Sequence, residues 1–342
     1  MLNYLFCLDK NYNKQLLISL NSLNFYSKSK FNVYIIHKDP ASLDDLMKRF
    51  NIKFDKIAKF NTYQFDDSNF NFPNLENNHI SEATYYRFFI DDFIEENIEQ
   101  LIYLDCDILC LNEPDDLLIE VSESLKKSNN VIAASVEYTN TVHTSELFNR
   151  LELESNTYFN AGVMVIDFKA WKENNLKQKL LSAMDKIYDK VNFWDQDILN
   201  FVFDGKYLEI SRNFNFSTQL NSNVKNIDLR SVIFLHYSGS NKPRNIIGAS
   251  KSLSEEFHKN YFLLFGDRYF LITNYRKQGL IDLLKIIFSL RITQLDTPFS
   301  FIIEAIISSA SHLSTCNTLY GSLVKNSSLI SLIILNRPSQ SI

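Results

Sequence analysis

The stretch Leu101 to Leu109, L-I-Y-L-D-C-D-I-L, decides how the rest of the chain is read. Leu101 to Leu104 form the apolar and aromatic run expected of a strand buried in a parallel sheet, and two acids follow, one residue apart, where such a strand ends. Side chains alternate along an extended chain, so Asp105 and Asp107 share a side and Cys106 takes the other. The result is a two-pronged carboxylate fork. Open α/β sheets gather their ligands beyond the carboxyl ends of strands, where two hard oxygen donors suit a divalent cation or a pair of acid/base groups. The plainer alternative is a strand that ends in two solvated acids, and the spacing alone leaves both readings open.

Before the fork, strand and helix patterns alternate. Leu2 to Leu8 reads as a first buried strand, followed by Asp9-Lys10-Asn11-Tyr12 and a helix with Leu16, Leu20 and Leu23 on one stripe. Phe31 to His37 reads as a second strand, Ser42 to Phe50 as a second helix and Ile52 to Ile57 as a third strand. This βαβαβ order predicts a parallel sheet wound with helices and a ligand beyond the strand ends, near Asp9 and Asp105. Asn61 to Asn78 lacks periodicity and reads as a loop over the mouth of the site. Ser81 then stands as an N-cap for a helix carrying Arg87, which either serves a phosphate or forms a surface ion pair with Asp91 or Asp92.

After the fork, Pro114 suits the first turn of a helix through Leu125, and Val131 to Val136 predicts a strand. Tyr158 to Phe168, Y-F-N-A-G-V-M-V-I-D-F, is strand-like with a small-residue break at Asn160, Ala161 and Gly162. A glycine in such a pattern marks close approach by another group. A helix is expected from Lys169 to about Asp189. Asp195, Gln196 and Asp197 follow at a helix start, where capping and the helix dipole are a sufficient explanation for acids. Val232 to Leu235 predicts a short strand running into H-Y-S-G-S-N-K-P-R, whose His236 and Lys242 could supply a metal ligand and a phosphate cation, or a structural histidine alone.

The hydrophobic share of 45% and charged share of 22% are those of an ordinary globular protein, long enough at 342 residues for a large α/β domain with an appendage. A net charge of −5 gives no general attraction to nucleic acid. Four cysteines without a C-x-x-C pair predict no disulfide framework and fit a reducing, cytoplasmic compartment. The N-terminus reads as a first strand and not as a signal peptide. Seven glycines make no G-x-G-x-x-G and no Walker loop, so a phosphate needs another cradle.

Five blocks taken together resemble one known family. H-I-S-E-A-T-Y-Y-R, I-Y-L-D-C-D, Y-F-N-A-G-V, D-Q-D-I-L-N and H-Y-S-G-S-N-K-P are similar, in order, to the motifs of the family 8 glycosyltransferases, in particular bacterial galactosyl- and glucosyltransferases of lipopolysaccharide or lipooligosaccharide assembly. The resemblance implies a GT-A, Rossmann-like α/β fold for nucleotide-diphospho-sugar transfer over residues 1–265. It implies Asp105, Asp107 and His236 around Mn²⁺, with Mg²⁺ as the alternative, against the phosphates of UDP-galactose or UDP-glucose. It implies Asp9, Asn11 and Tyr12 beside the uracil and ribose, and Arg87 and Lys242 on the ribose, phosphates or sugar. Asn160, Asp195 and Gln196 then line the sugar and reaction centre, with His79 and Gly239 nearer a saccharide or glycolipid acceptor. Such enzymes retain anomeric configuration. Lys10, Phe193 and Ser238 depart from the family pattern, the last two at positions that bear on the acceptor.

Two other classes share parts of this pattern. Haloacid-dehalogenase-type phosphatases use a strand ending in D-x-D, but near the N-terminus and with Thr or Val where Leu109 stands here. A non-catalytic sugar-nucleotide-binding protein would carry the same motifs without turnover. From Gly266 onward the chain has seven Lys/Arg against four Asp/Glu, and apolar bursts at Leu280 to Leu290, Phe299 to Ile307 and Leu329 to Leu335. None reaches the roughly 18 apolar residues of a spanning helix. Residues 266–342 are therefore expected to form a mainly helical appendage. Either it lies on an anionic membrane, at the inner face of the cytoplasmic membrane, or its apolar faces pack together or in a dimer.

Overall fold

The computed structural model describes residues 1–73, 81–94, 97–222, 228–240, 242–249, 251 and 253–269. The chain forms two compact units, one of Met1–Asn241 with Lys259–Gly266 and one that begins with Lys242–His258 and resumes at Asp267. All described strands lie in the first. The expected helical appendage and its membrane contact fall on 270–342, outside the described residues. Among the described residues no helix is long and apolar enough to cross a membrane.

The main sheet has seven strands: β1 (Asn3–Leu8), β2 (Phe31–His37), β3 (Ile57–Gln64), β4 (Gln100–Leu104), β6 (Ile132–Thr139), β7 (Thr157–Asp167) and β8 (Leu208–Glu209), in the order β3-β2-β1-β4-β7-β6-β8. A second sheet of three is built from β5 (Ile108–Cys110), β9 (Phe216–Ser217) and β10 (Phe234–His236), in the order β5-β10-β9. β1 pairs in parallel with both β2 and β4, so the strand order reverses beside β1, the switch point beyond which open α/β sheets bind their ligands. Asp9 and Asp105 follow those two strands directly, as the βαβαβ reading predicts.

The sheet is mixed and not wholly parallel, since β7 runs antiparallel to both β4 and β6. Leu101 to Leu104 and Val163 to Ile166 are buried on both faces, which is why their apolar runs resemble parallel strands. The third strand begins where Ile52 to Ile57 was expected to end. Asn51 takes φ 50 in a turn after the helix Pro40–Arg49, and β3 is a half-exposed edge strand that pairs, among the described residues, with β2 alone. An edge strand needs little apolar alternation, so the second half of β3, Asn61 to Gln64, reads as the start of a loop in the sequence.

Three further elements differ from the sequence pattern. Ser81 caps as expected, accepting from the Ala83 amide at 3.2 Å, but the segment Glu82–Phe89 is a 3₁₀ helix. The long helix after β7 is two, Phe168–Glu173 and Leu176–Ile187, separated where Asn175 adopts φ 50. The helix Asn13–Tyr26 buries Leu16, Leu17, Ile18, Leu20 and Leu23, a wider face than one stripe. Its buried Ser22 is satisfied by donating to the Ser19 carbonyl at 2.7 Å and accepting from the Cys110 amide at 2.9 Å.

Candidate active site

β4 ends at Leu104, and Asp105 to Asp107 make the turn that carries the chain into the second sheet. There β5 pairs antiparallel with β10, placing His236 opposite Ile108 and therefore one residue from Asp107. The Tyr237 amide donates to the Asp107 carbonyl at 3.1 Å and fixes that register. His236 Nε2 lies 3.4 Å from Asp107 Oδ1 and 3.8 Å from Asp105 Oδ2. One donor atom from each of the three residues falls within 4.8 Å of the others. Cys106 is buried with its thiol directed at the Cys7 carbonyl, away from the two acids as expected, although residues 105–107 form a turn and not an extended strand.

Asp105 is anchored from the protein side. Arg87 Nη2 donates to its Oδ1 at 3.0 Å and the Tyr103 hydroxyl donates to the same atom at 2.8 Å, while Oδ2 faces His236. The guanidinium stacks 3.7 Å from the Tyr103 ring, donates to the Thr84 and Ala161 carbonyls at 3.0 and 2.7 Å, and sits with Nε 3.0 Å from Asp195 Oδ2. Arg87 is only 2% exposed, so the surface ion pair with Asp91 or Asp92 does not exist. Asp92 pairs with Lys177 at 2.6 Å. Burial pushes the Asp195 carboxyl up to about 6, against the Arg87 charge and with help from Asp105.

β7 departs from regular pairing with β6 where the small residues stand, because β6 shifts register between Ala134 and Ser135. The Gly162 carbonyl accepts from the Asp105 amide at 2.8 Å, and the Ala161 amide donates to Gln196 Oε1 at 3.0 Å. The close approach marked by Gly162 is by His236: a Cβ there would lie 2.5 Å from the imidazole Cε1. Asn160 Nδ2 and Gln196 Nε2 both donate to Glu137 Oε2, at 3.1 and 2.9 Å. Burial raises the Glu137 carboxyl above its ordinary range, with those two amides opposing.

The three polar residues of D-Q-D separate in role. Asp197, fully buried, accepts from the Asn192 and Phe193 amides at 2.7 and 2.9 Å, from the Tyr158 hydroxyl at 2.8 Å and from Arg150 at 2.8 Å. Those contacts close the entry to the helix Trp194–Phe203, so the capping explanation suffices for Asp197. It does not account for Asp195 or Gln196, which turn to Arg87 and Glu137.

On the β1 side, Asp9 Oδ1 accepts from the Asn11 amide at 2.7 Å and Oδ2 from the Ser81 hydroxyl at 2.5 Å. Asn11 and Tyr12 form the 3₁₀ turn after β1. Ser81 thus ties Asp9 to the segment that carries Arg87. Gly239 has φ +75, and a Cβ there would lie 2.3 Å from Gln219 Oε1. Lys242 opens the second unit, and His79 lies outside the described residues. The structure therefore brings together Asp105, Asp107, His236, Arg87, Asn160, Asp195 and Gln196, with Asp9 joined through Ser81. Glu137 and Asn215, which lie in none of the motifs, belong to the same network, as does Tyr103 of I-Y-L-D-C-D through its hydroxyl. An ionisable residue directly after the apolar strand run that ends at Val136 is the signal that marks Glu137.

The donor set fits a divalent cation. Two carboxylate oxygens and one imidazole nitrogen converge, the imidazole's other nitrogen lies 2.9 Å from Asn215 Oδ1, and Arg87 with Tyr103 orients one carboxylate.

Residues 3–245 match the sequence profile of Glycosyl transferase family 8. A Haemophilus influenzae protein, provisionally described as a glycosyltransferase, is 30% identical over 251 residues, which are 70% of this chain and 72% of that protein. The lipopolysaccharide 1,2-glucosyltransferase of Escherichia coli K12 is 27% identical over 173 residues, 48% of this chain and 49% of that enzyme, so the match spans about half of it. Among solved structures, the galactosyltransferase LgtC in complex with donor and acceptor sugar analogues superposes with a TM-score of 0.63 at 22% identity, over 82% of this chain and all of that one. At that identity the likeness shows the fold, the GT-A, Rossmann-like arrangement expected from the sequence.

Proposed function

We propose, for a chain that belongs to glycosyl transferase family 8, a retaining hexosyltransferase that moves galactose, with glucose as the alternative donor sugar, from a UDP-sugar to a saccharide acceptor in lipopolysaccharide, lipooligosaccharide or surface-glycan assembly. One observation carries the reading. The Asp105-Asp107-His236 cluster is continuous with the polar residues of the sugar side through two routes, Asp105 to Arg87 to Asp195, and His236 through Asn215, Asn160 and Glu137 to Gln196. A phosphatase of the dehalogenase type falls away with the family membership.

Breaking the bond between the anomeric carbon and a diphosphate leaves negative charge on the leaving group and positive charge on the sugar. Mn²⁺ held by Asp105, Asp107 and His236 supplies Lewis-acid neutralisation of that diphosphate when bound. Arg87 orients Asp105 for that task. On the sugar side, the Asp195 carboxylate and the Gln196 amide oxygen stabilise the oxocarbenium-like centre. Asn160 holds the sugar edge, and Asp9, Asn11 and Tyr12 the nucleoside. No residue need protonate the leaving group.

Retention is assigned to same-face attack by the acceptor without a covalent intermediate. Gln196 is scarcely basic, and Asp195 shares its charge with Arg87, which lowers its nucleophilicity. The test is a panel of UDP-sugars with Mn²⁺, reading UDP release with and without lactose or truncated lipooligosaccharide. Acceptor-stimulated release with one donor is expected; tight UDP-sugar binding with no release would make the protein a binder. A hexose found covalently attached to Asp195 by mass spectrometry would replace the same-face route with double displacement.

A further inference from the structure

The structure assigns Asn215 as the positioning residue that fixes which ring nitrogen of His236 faces Asp105 and Asp107. The Gly162 amide can only donate, and it meets Asn160 Oδ1 at 2.9 Å, which identifies that atom as the side-chain oxygen. Asn160 Nδ2 then points to Glu137 Oε2 at 3.1 Å. Asn215 Nδ2 donates to the same Asn160 oxygen at 2.8 Å, leaving Asn215 Oδ1 at 2.9 Å from His236 Nδ1. An amide oxygen only accepts, so Nδ1 must carry the hydrogen. In the neutral ring the lone pair is then on Nε2, directed at Asp107 and Asp105.

Packing holds the ring in that pose. Beyond the 2.5 Å contact with Cε1, a Cβ at Gly162 would lie 2.8 Å from Nδ1, so the imidazole occupies space that only a glycine leaves. Asn160, Asn215 and His236 are all buried, and their polar atoms answer one another directly. Asn215 comes from the turn before β9, 21 residues from His236, and no motif includes it. Its role rests on the reading of Asp105, Asp107 and His236 as a metal site.

The test uses the full chain, labelled with ¹⁵N in histidine, and Mn²⁺ titrations followed by electron paramagnetic resonance. His236 Nδ1 in the metal-free protein is expected to show the chemical shift of a protonated nitrogen; a bare Nδ1 overturns the assignment. Asn215→Leu, which removes the acceptor, is expected to weaken Mn²⁺ binding by roughly 10- to 100-fold, the range for outer-shell partners of metal ligands. Asn215→Asp restores an acceptor for the same N–H and is expected to bind Mn²⁺ more tightly than Asn215→Leu. Equal affinity of the wild type and Asn215→Leu, or of the two variants, overturns the positioning role. If the wild type binds no Mn²⁺, the metal reading fails, while the Nδ1 measurement still judges the hydrogen-bond assignment.

Discussion

Arg87 Nη2 donates to Asp105 Oδ1 at 3.0 Å from a side chain that is 2% exposed, so the first acid of the fork is compensated from inside the protein. The same guanidinium faces Asp195, and two carboxylates depend on one buried cation. Replacing Arg87 by Met leaves both unpaired and is expected to destabilise the fold by about 3–5 kcal/mol, the usual result of breaking a buried pair from one side. Arg87→Lys should recover only part, since an ammonium lacks the planar fork that reaches Asp105, Ala161 and Thr84 together. Urea unfolding of the three proteins checks this, and unchanged stability in Arg87→Met refutes it.

The Asp195 carboxyl, raised to about 6, predicts the acid side of the pH profile. Above that pH it is ionised beside Arg87; as pH falls through about 6 it gains a proton and the pairing is lost. UDP release at saturating Mn²⁺ should therefore drop on the acid side with a midpoint at or below about pH 6, because a divalent cation at Asp105 offsets the charge that helps to raise the Asp195 carboxyl. Asp195→Asn should be slow and lack that limb. For stability the sign is opposite to that of an ordinary paired acid. The folded value lies above that of the free carboxyl, so this group contributes most at low pH, and its contribution declines as pH rises toward about 6.

Asp105→Asn and Asp107→Asn each remove a charged oxygen donor from the cluster. Mn²⁺-dependent UDP release is expected to fall by more than about 100-fold in both, beyond the range for outer-shell partners. Chelation of the wild type should give the same loss, reversed by Mn²⁺. Activity retained in Asp105→Asn would falsify the metal assignment.

Gly162→Ala tests the same socket by filling it. Its Cβ would press on His236 Cε1 at 2.5 Å, so the ring must move. Overpacking of this kind costs about 1–3 kcal/mol. The loss of Mn²⁺ affinity should exceed what that destabilisation explains, which calorimetric titration at a temperature well below the melting point measures. Affinity equal to the wild type would mean that the ring has room to shift.

Residues 270–342 lie outside the described structure, and their composition carries a separate prediction. Arg276, Lys277, Lys285 and Arg291 surround the first apolar burst, so truncation after Arg268 should leave UDP release from the sugar nucleotide largely intact and abolish sedimentation with anionic vesicles. Unchanged vesicle binding would remove the membrane-surface reading and favour a packed subdomain.

The amino-acid sequence by itself determined the strand and helix order around the fork, the side shared by Asp105 and Asp107, and the glycine at which something approaches closely. Those features depend on the two-residue period of strands, the apolar runs of buried segments and the missing Cβ of glycine, all local in the chain. Only the tertiary structure decided the partners. Arg87 meets the Ala161 carbonyl 74 residues away, and Gln196 meets Glu137 across 59. Each was legible as a charged or polar residue, but a long side chain's partner is set by which strands the fold brings side by side. The antiparallel pairing of β5 with β10 delivers His236 to Asp107, and the irregular pairing of β7 with β6 delivers Ala161 to Gln196. The edge strand β3 shows the reverse limit. Half exposed and paired, among the described residues, with β2 alone, it needs little of the apolar alternation that makes a strand visible in sequence.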